Sequence, residues 1–257
     1  MLLRRMIEHV RAQNWTAVAL DFVIVVLGVF IGIQVANWNA ARADRQIEAQ
    51  YLSRLLQELS DMAPKAKAAL EEVRERYVLI DDVAHYLATG QGGDALGAKH
   101  CGAIRGAHIF AGAIFYPPTI KELISTGRIV LVRDPALRTA ILAFDQANLE
   151  MSQLRQDIQI DRLLLARKHP ALITIDVADW EKVACDYDAM GASHSFLNDF
   201  MDNSRRYIAY VDDIHERQFE LIKSLGANVA ASRGELFNLA ADQINEERVN
   251  NEQPFTP

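Results

Sequence analysis

Two groups of residues in this sequence have side chains that could do chemistry. Asp21 lies in an otherwise apolar stretch, where an ionisable group is costly and by default marks a function or a polar partner. His100, Cys101, His108 and the distant Cys185 carry the nitrogen and sulfur atoms that bind zinc. Zinc sites, however, are built from closely spaced ligand pairs, which this set lacks. The sequence therefore predicts no metal site.

The glycine-rich stretch 90–106 holds six of the 13 glycines of the chain. It lacks the G-x-x-x-x-G-K-[ST] spacing of a phosphate-binding loop, and no apolar strand precedes it. Histidines are the other candidates for catalysis, but no Gly-x-Ser-x-Gly or His-Glu-x-x-His motif accompanies the five that are scattered along the chain. These are His85, His108, His169, His194 and His215. We therefore predict no catalytic residue, no cofactor and no enzymatic activity.

The element that positions Asp21 is an apolar helix from Trp15 to Trp38. Its 22 intervening residues span roughly 33 Å at 1.5 Å per residue, close to the hydrocarbon thickness of a bilayer. The part from Phe22 to Ile33 has no polar side chain, and the two tryptophans suit the membrane interfaces. We predict a single transmembrane helix. A cleaved signal peptide is the alternative, because residues 41–43 read Ala-Arg-Ala, but the apolar stretch is long for one.

Two features of this span concern its packing and its charge. Gly28 and Gly32 form a G-x-x-x-G pair, which places both glycines on one helix face and favours a homo-oligomer. Asp21 lies about 9 Å along the helix from Trp15. At that depth it is either hydrated or acts as a proton relay or hydrogen-bond partner between subunits.

Hydrophobic spacing after the span predicts further helices. Apolar residues from Tyr51 to Leu87 alternate in steps of three and four across Pro64, so one helix continues there with a kink or brief break. A capping box at 119–122 begins a short helix, and Asp134 before Pro135 begins another that we expect to reach about His169.

Three stretches complete the prediction. Residues 129–132 are a candidate β element, and residues 171–193 an irregular connection. A helix is expected from about Ser195 to Leu225, ended by Gly226, and a last one from Ser232 to about Glu247.

The predicted fold is all-α: an N-terminal transmembrane helix continuous with an extended antiparallel bundle of about four helices. Residues 1–14 form a short amphipathic cytoplasmic segment, either on the membrane surface or as a helical extension of the span, and residues 15–38 form the span. Residues 39–249 form the helical extramembrane domain, and 250–257 a flexible tail.

The charge and cysteines bear on topology and partners. The net charge is −7, and with three arginines and two acidic residues before residue 40, the rest has 24 basic against 32 acidic side chains. That acidic part disfavours nucleic acid as a partner. Arg4, Arg5 and Arg11 precede the span, which favours a cytoplasmic N-terminus, although Arg42 and Arg45 follow it. Two cysteines, Cys101 and Cys185, form a disulfide if the domain faces an oxidising compartment, or remain thiols in the cytosol.

Two segments together resemble an uncharacterised family of bacterial membrane proteins. They are IGIQVANWNAARAD, with its Gln-Val-x-Asn-Trp-Asn span exit, and ELISTGRIVLVRDPALRTAIL, in which Arg133 and Asp134 match the family pattern. The resemblance covers about a third of the chain. It implies an anchored, mostly helical bacterial protein and supplies no catalytic residues.

The preferred function is a single-pass, membrane-anchored scaffold or interaction protein. It would sit in the bacterial inner membrane with its domain in the periplasm, and its partners would be the lipid bilayer and either further copies of itself or another membrane or periplasmic protein. The alternative is an ion-coupled or signalling membrane subunit that uses Asp21.

Overall fold

The structure is a computed structural model. It describes residues 15–110, 112–160, 162–179 and 182–237. The predicted segment 1–14, the side chains of Trp15 and Asp21, most of the predicted last helix and the tail 250–257 lie outside this description. The chain divides into two compact units, Met1–Tyr51 and Leu52–Pro257.

The longest element is helix α1, Trp15–Thr89, whose 75 residues pass Pro64 without a break. In the first unit, the apolar side chains of the span are exposed: Leu20 is 62% exposed, Phe22 68% and Phe30 57%. Among the described residues, this is the one helix that is long and apolar enough to cross a membrane, judged by length and composition.

Within the second unit, the apolar stripe of α1 contributes buried residues to the whole length of the core. Leu55 and Leu59 are fully buried, and Ala66, Val73 and Ile80 are almost so. The spacing of these residues is that of one helix face, which confirms the predicted stripe. Pro64 causes no interruption of the helix, so the brief break considered from the sequence is absent.

Seven further α-helices are described: α2 (Ala98–Gly106), α3 (Pro118–Ser125), α4 (Pro135–Gln159), α5 (Leu165–Lys168), α6 (Tyr187–Ala192), α7 (His194–Ala209) and α8 (Arg217–Arg233). A π-helix, Tyr210–Glu216, joins α7 to α8, and 3-10 turns lie at Gly93–Ala95 and Arg128–Leu131. The described part of the chain is thus predominantly helical.

Asp134 caps α4 as predicted, since its carboxylate accepts the N–H of Ala136 at 2.8 Å. The helix nevertheless ends at Gln159, ten residues before the predicted end. The reason lies in the next segment, where the side chain of Asn203 on α7 accepts the N–H of Leu163 and donates to its carbonyl. This tertiary pairing replaces the helical hydrogen bonds that the backbone there would otherwise make.

The β prediction was wrong in both places. The run at 129–132 closes as a 3-10 turn, in which the N–H of Val132 donates to the carbonyl of Ile129, and within the described residues the two strands pair with each other. Instead, β1 (Ile173–Ile175) and β2 (Val183–Cys185) form an antiparallel hairpin in the stretch predicted to be irregular. Ile173 lies opposite Cys185 in this register.

The last described helix also runs further than predicted and includes Ser232, which was expected to start a separate helix. Gly226 lies inside α8 instead of ending it, and the ring of Phe237 packs over it so closely that a Cβ there would be 2.3 Å from Cζ of Phe237. The helix ends eight residues later, where Gly234 adopts φ = 70°. Gly226 is therefore a packing position, whereas Gly234 is the conformational stop.

Two apolar cores lie side by side along α1 in the second unit. One gathers the α1 stretch Leu52–Ala66 with α3, α4 and α8. The other gathers Leu70–Val83 with α2, the hairpin, α6, α7 and the π-helix.

Candidate functional site

The glycine-rich loop after α1 folds over the ring of Tyr86. Gly90 and Gly92 have φ values of 72° and 85°, which only glycine adopts readily. Gly93 passes so close to the ring that a Cβ would lie 2.7 Å from Cε2 of Tyr86. The glycines thus shape a turn that lies directly against an aromatic side chain.

The facing wall is the segment Cys185–Asp188, which runs from the last residue of β2 into the first turn of α6. Asp186 caps α6 by accepting the N–H of Ala189 at 3.0 Å. The hydroxyl of Tyr187 donates to the carbonyl of Gly97 at 2.9 Å, and that of Tyr86 donates to Asp188. The two tyrosine rings meet edge to face, with centroids 6.5 Å apart.

Between the two walls lies an open cleft of about 730 Å³. Its charged lining is acidic: Asp94, Asp186 and Asp188 are all exposed. We call it the acidic cleft. The hydrogen bond from Tyr86 to Asp188 raises the pKa of Tyr86, and burial raises the pKa of Tyr187. Both phenols therefore stay protonated donors at neutral pH. Chemically, the arrangement attracts positive charge.

Cys101 and Cys185 are joined by a disulfide at the edge of this cleft. Their Cα atoms lie 5.6 Å apart, within the usual range for a bridged pair. The bond ties α2 to the end of β2 across 84 residues of sequence. Cys101 is only 1% exposed and belongs to the apolar core, whereas Cys185 lines the cleft.

A second polar group lies at the π-helix. His215 is 3% exposed, and its Nδ1 has no hydrogen-bond partner among the described residues. Its ring meets that of Tyr210 edge to face, with centroids 4.6 Å apart. The loop at Gly112, where φ is 136°, closes over both rings, and its carbonyl accepts a 2.7 Å hydrogen bond from Arg155.

The surroundings of His215 favour the neutral imidazole. Burial lowers its pKa, the charge of Arg155 lowers it further, and Glu72 opposes both effects. Single-turn π segments are often found at functional sites. Here Tyr210, Ile214 and His215 are all buried, so the segment is a closely packed joint between α7 and α8.

A third polar group connects α5 to α7. Asp199 accepts hydrogen bonds from Nε2 of His169 at 2.7 Å and Nζ of Lys168 at 2.8 Å. Burial alone would raise the pKa of Asp199, but these two partners outweigh it and lower the pKa. No nucleophile completes a catalytic triad in the contacts of these three residues, and their role is to hold the short helix in place.

The remaining predicted residues occupy separate places. Gly28 and Gly32 have open space where a Cβ would stand. Trp38 is 59% exposed, and the guanidinium of Arg42 lies 6.0 Å from its ring centre. Asp21 is in α1, but its side chain is not described.

The zinc-type residues are engaged in other contacts. Nδ1 of His100 accepts the N–H of Gly97 at 3.1 Å, and the ring of His108 contacts the carbonyl of Arg105. Within the described ranges, no group of three or more His, Cys, Asp or Glu side chains could hold a metal ion.

Sequence reasoning missed Tyr86, Tyr187 and His215 as members of sites. The glycine cluster was the available signal for the cleft, since a run of glycines also marks a close approach of backbone to a ring. No local signal marks the contact of Tyr86 with Asp188, which is 102 positions away, or that of His215 with Gly112, because the partners come from different elements.

Comparison with known proteins gave no match to this chain from protein-family models, from curated proteins or from solved structures.

Proposed function

We propose that this chain is a single-pass, membrane-anchored interaction protein of the bacterial inner membrane. Its helical domain would lie in the periplasm and present the acidic cleft to a positively charged partner. The observation that carries the proposal is the combination of an exposed apolar span with a disulfide-bonded domain on the same chain.

The span supports an anchor. Its side chains are exposed over the whole stretch from Phe22 to Trp38, with none buried against the protein in the most apolar window. Such a surface, left in water, would carry a large unfavourable free energy of hydration. A lipid bilayer of matching thickness removes that cost.

The disulfide supports a periplasmic domain. Disulfides persist in oxidising compartments such as the periplasm and are rare in the cytosol. The three arginines that precede the span agree with a cytoplasmic N-terminus. The resemblance to the bacterial membrane family described above supports an anchored, mostly helical protein of bacterial origin.

Two surfaces support an interaction role. Gly28 and Gly32 have free space on one face, which lets a second helix approach closely and favours a homo-oligomer. The acidic cleft combines carboxylates with two tyrosine rings, a lining that suits basic side chains through charge and cation–π attraction.

The topology is tested with single-cysteine reporters in a Cys101→Ser, Cys185→Ser background. Val177→Cys places a thiol at a fully exposed position in the domain, and Gln13→Cys places one before the span. In intact cells, a membrane-impermeant maleimide should label only Val177→Cys, and lysis should expose the other. Labelling of Gln13→Cys alone would reverse the orientation, and recovery of the protein in the carbonate-soluble fraction would remove the anchor.

The oligomer is tested separately by crosslinking in membranes. Gly28→Ile with Gly32→Ile should shift the crosslinked ladder towards the monomer, because the added side chains keep the helices apart. Val26→Ile adds apolar bulk on another face of the same helix and serves as the control. An unchanged ladder in the double variant would refute packing through this face while leaving the anchor intact.

A further inference from the structure

The two ends of the disulfide differ in their access to solvent. Cys101 is 1% exposed and is surrounded by the second core, whereas Cys185 is partly exposed and lines the acidic cleft. A thiolate that opens a disulfide must approach one of its sulfur atoms and expel the other. The cleft gives a small thiol a path to Cys185, and the core blocks the path to Cys101.

The expelled sulfur has a favourable position as well. Cys101 lies at the start of α2, where its N–H donates to the carbonyl of Gly97 just before the helix. The amino end of a helix carries partial positive charge, which lowers the pKa of a cysteine placed there and stabilises its thiolate. Burial in the apolar core opposes this effect, so the helix end offsets part of the cost of releasing a thiolate at Cys101.

We propose that this disulfide is a thiol-exchange site that opens from the acidic cleft, with Cys185 as the attacked sulfur and Cys101 as the leaving thiolate. The attacking thiolate forms a new S–S bond to Cys185 while the bond to Cys101 breaks, and the released thiolate takes a proton from water. A second thiol then attacks the mixed disulfide, which leaves two protein thiols and one oxidised disulfide of the reductant. Two electrons pass from the two thiols to the protein.

The charge of the cleft selects the thiol. Every attacking thiolate is negative, and Asp94, Asp186 and Asp188 line its path. A thiol that carries its own positive charge offsets this repulsion, whereas an anionic thiol adds to it. The reductant class is therefore a thiol next to a positive charge, either a small aminothiol or a cysteine set in a basic protein surface.

Opening the bond leaves the hairpin and α2 joined by their apolar packing and by the hydrogen bond from Tyr187 to Gly97. The wall residues Tyr187 and Asp188 follow Cys185 directly, so the covalent link that fixes this wall of the cleft is lost. Exchange would thereby couple the redox state of the domain to the shape of the acidic cleft.

The test uses the purified full-length chain in neutral detergent, in its oxidised form. Cysteamine, 2-mercaptoethanol and 2-mercaptoethanesulfonate are supplied at equal thiolate concentrations, and free protein thiols are trapped with iodoacetamide and mapped by mass spectrometry. We expect the thiol adduct on Cys185 and, once the chain is unfolded in denaturant that contains iodoacetamide, the alkyl group on Cys101, which the core shields in the folded chain. At low salt, cysteamine should react about tenfold faster than the sulfonate, with most of that ratio lost at 1 M salt.

Asp188→Asn should reduce the ratio of these two rates, since it removes one charge from the cleft. The control is Asp61→Asn, an exposed acid on the same helix as Tyr86 but 25 residues earlier, or about 37 Å along the helix. Its ratio should equal that of the unchanged protein. An adduct on Cys101, equal rates for all three thiols, or two free thiols in protein purified without reductant would each overturn the proposal. The anchor and the orientation are tested separately by the maleimide labelling, which uses a chain without Cys101 and Cys185, so a failure of thiol exchange is distinguishable from a failure of the anchor. Two free thiols in the purified protein would also remove the disulfide as support for a periplasmic domain.

Discussion

The carboxylate of Glu58 on α1 accepts both the N–H of Thr119, at 3.0 Å, and its hydroxyl, at 2.8 Å. Thr119 is fully buried at the start of α3. The sequence predicted a local capping box between Thr119 and Glu122, and that prediction was wrong. Glu122 instead pairs with Arg54, which also donates to the Thr119 hydroxyl at 2.7 Å. The helix start is capped by a residue 61 positions away.

This tertiary cap gives the first prediction. Glu58→Ala leaves the N–H and hydroxyl of Thr119 buried without their acceptor, so we expect a loss of about 1–3 kcal/mol in the free energy of unfolding. Glu71→Ala removes an exposed glutamate from the same helix and should change it by less than about 0.5 kcal/mol. Denaturant unfolding of the full chain in detergent measures both. Equal stability of the two variants would show that the cap contributes nothing.

The second prediction concerns acid stability through Asp199. Lys168 and His169 lower the pKa of the Asp199 carboxyl in the folded chain. Their interactions with the ionised carboxylate therefore stabilise the fold fully at any pH above the unfolded-state pKa of about 3.9. That contribution is lost as the pH falls through the folded-state pKa. Asp199→Asn should cost about 1 kcal/mol at pH 7 and flatten the acid limb of the stability curve. A variant whose acid limb matches that of the unchanged protein would contradict this role.

The third prediction concerns His215, a base whose protonation affects stability at a higher pH than that of the Asp199 carboxyl. The pKa of His215 is lowered from 6.5 by burial and by Arg155, so below about pH 6.5 the unfolded chain binds a proton that the folded chain refuses. Stability is therefore full above that pH and falls as the pH drops towards the folded-state pKa.

Replacing His215 with leucine should flatten this slope between pH 7 and 5. His85→Gln, at an exposed histidine, should leave the slope as it was. Thermal unfolding measured at several pH values separates the two variants, and a slope that survives His215→Leu would assign it to another group.

The fourth prediction tests the loop that covers His215. Gly112→Ala places a Cβ 3.0 Å from the hydroxyl of Tyr210 at a residue with φ = 136°, and both effects are unfavourable. We expect a loss of roughly 1–3 kcal/mol in unfolding free energy. Gly102→Ala is the matched control, because it lies within α2 and its Cβ would be 4.0 Å from Val183. There the higher helix propensity of alanine should keep or raise stability. If both variants unfold alike, the loop is not as closely packed as described.

Local sequence patterns predicted the elements whose causes are local. The stripe on α1 follows from burial of one helix face, and the Asp134-Pro135 start of α4 follows from a side chain that reaches its own backbone. The end of α4 was missed because Asn203, from another helix, supplies the competing hydrogen bonds. The hairpin was missed because three-residue strands have too little periodicity to stand out.

Gly226 is a second position at which the local sequence led to a wrong prediction. Its sequence context resembles a helix end, but the helix continues through it, and the glycine leaves room for the ring of Phe237. A glycine needed for φ and a glycine needed for space are identical in the sequence. Only the packed neighbour distinguishes them.

The sequence by itself determined the apolar span, the helical class and the phase of the long helix, because each depends on composition or on spacing along one element. The tertiary structure alone decided that Glu58 caps α3, that the glycine loop and Tyr187 enclose one cleft, and that Cys101 faces the core while Cys185 faces the cleft. Such pairings join residues 61 to 102 positions apart. Their energies depend on distance and burial in the folded chain, which no spacing along the sequence encodes.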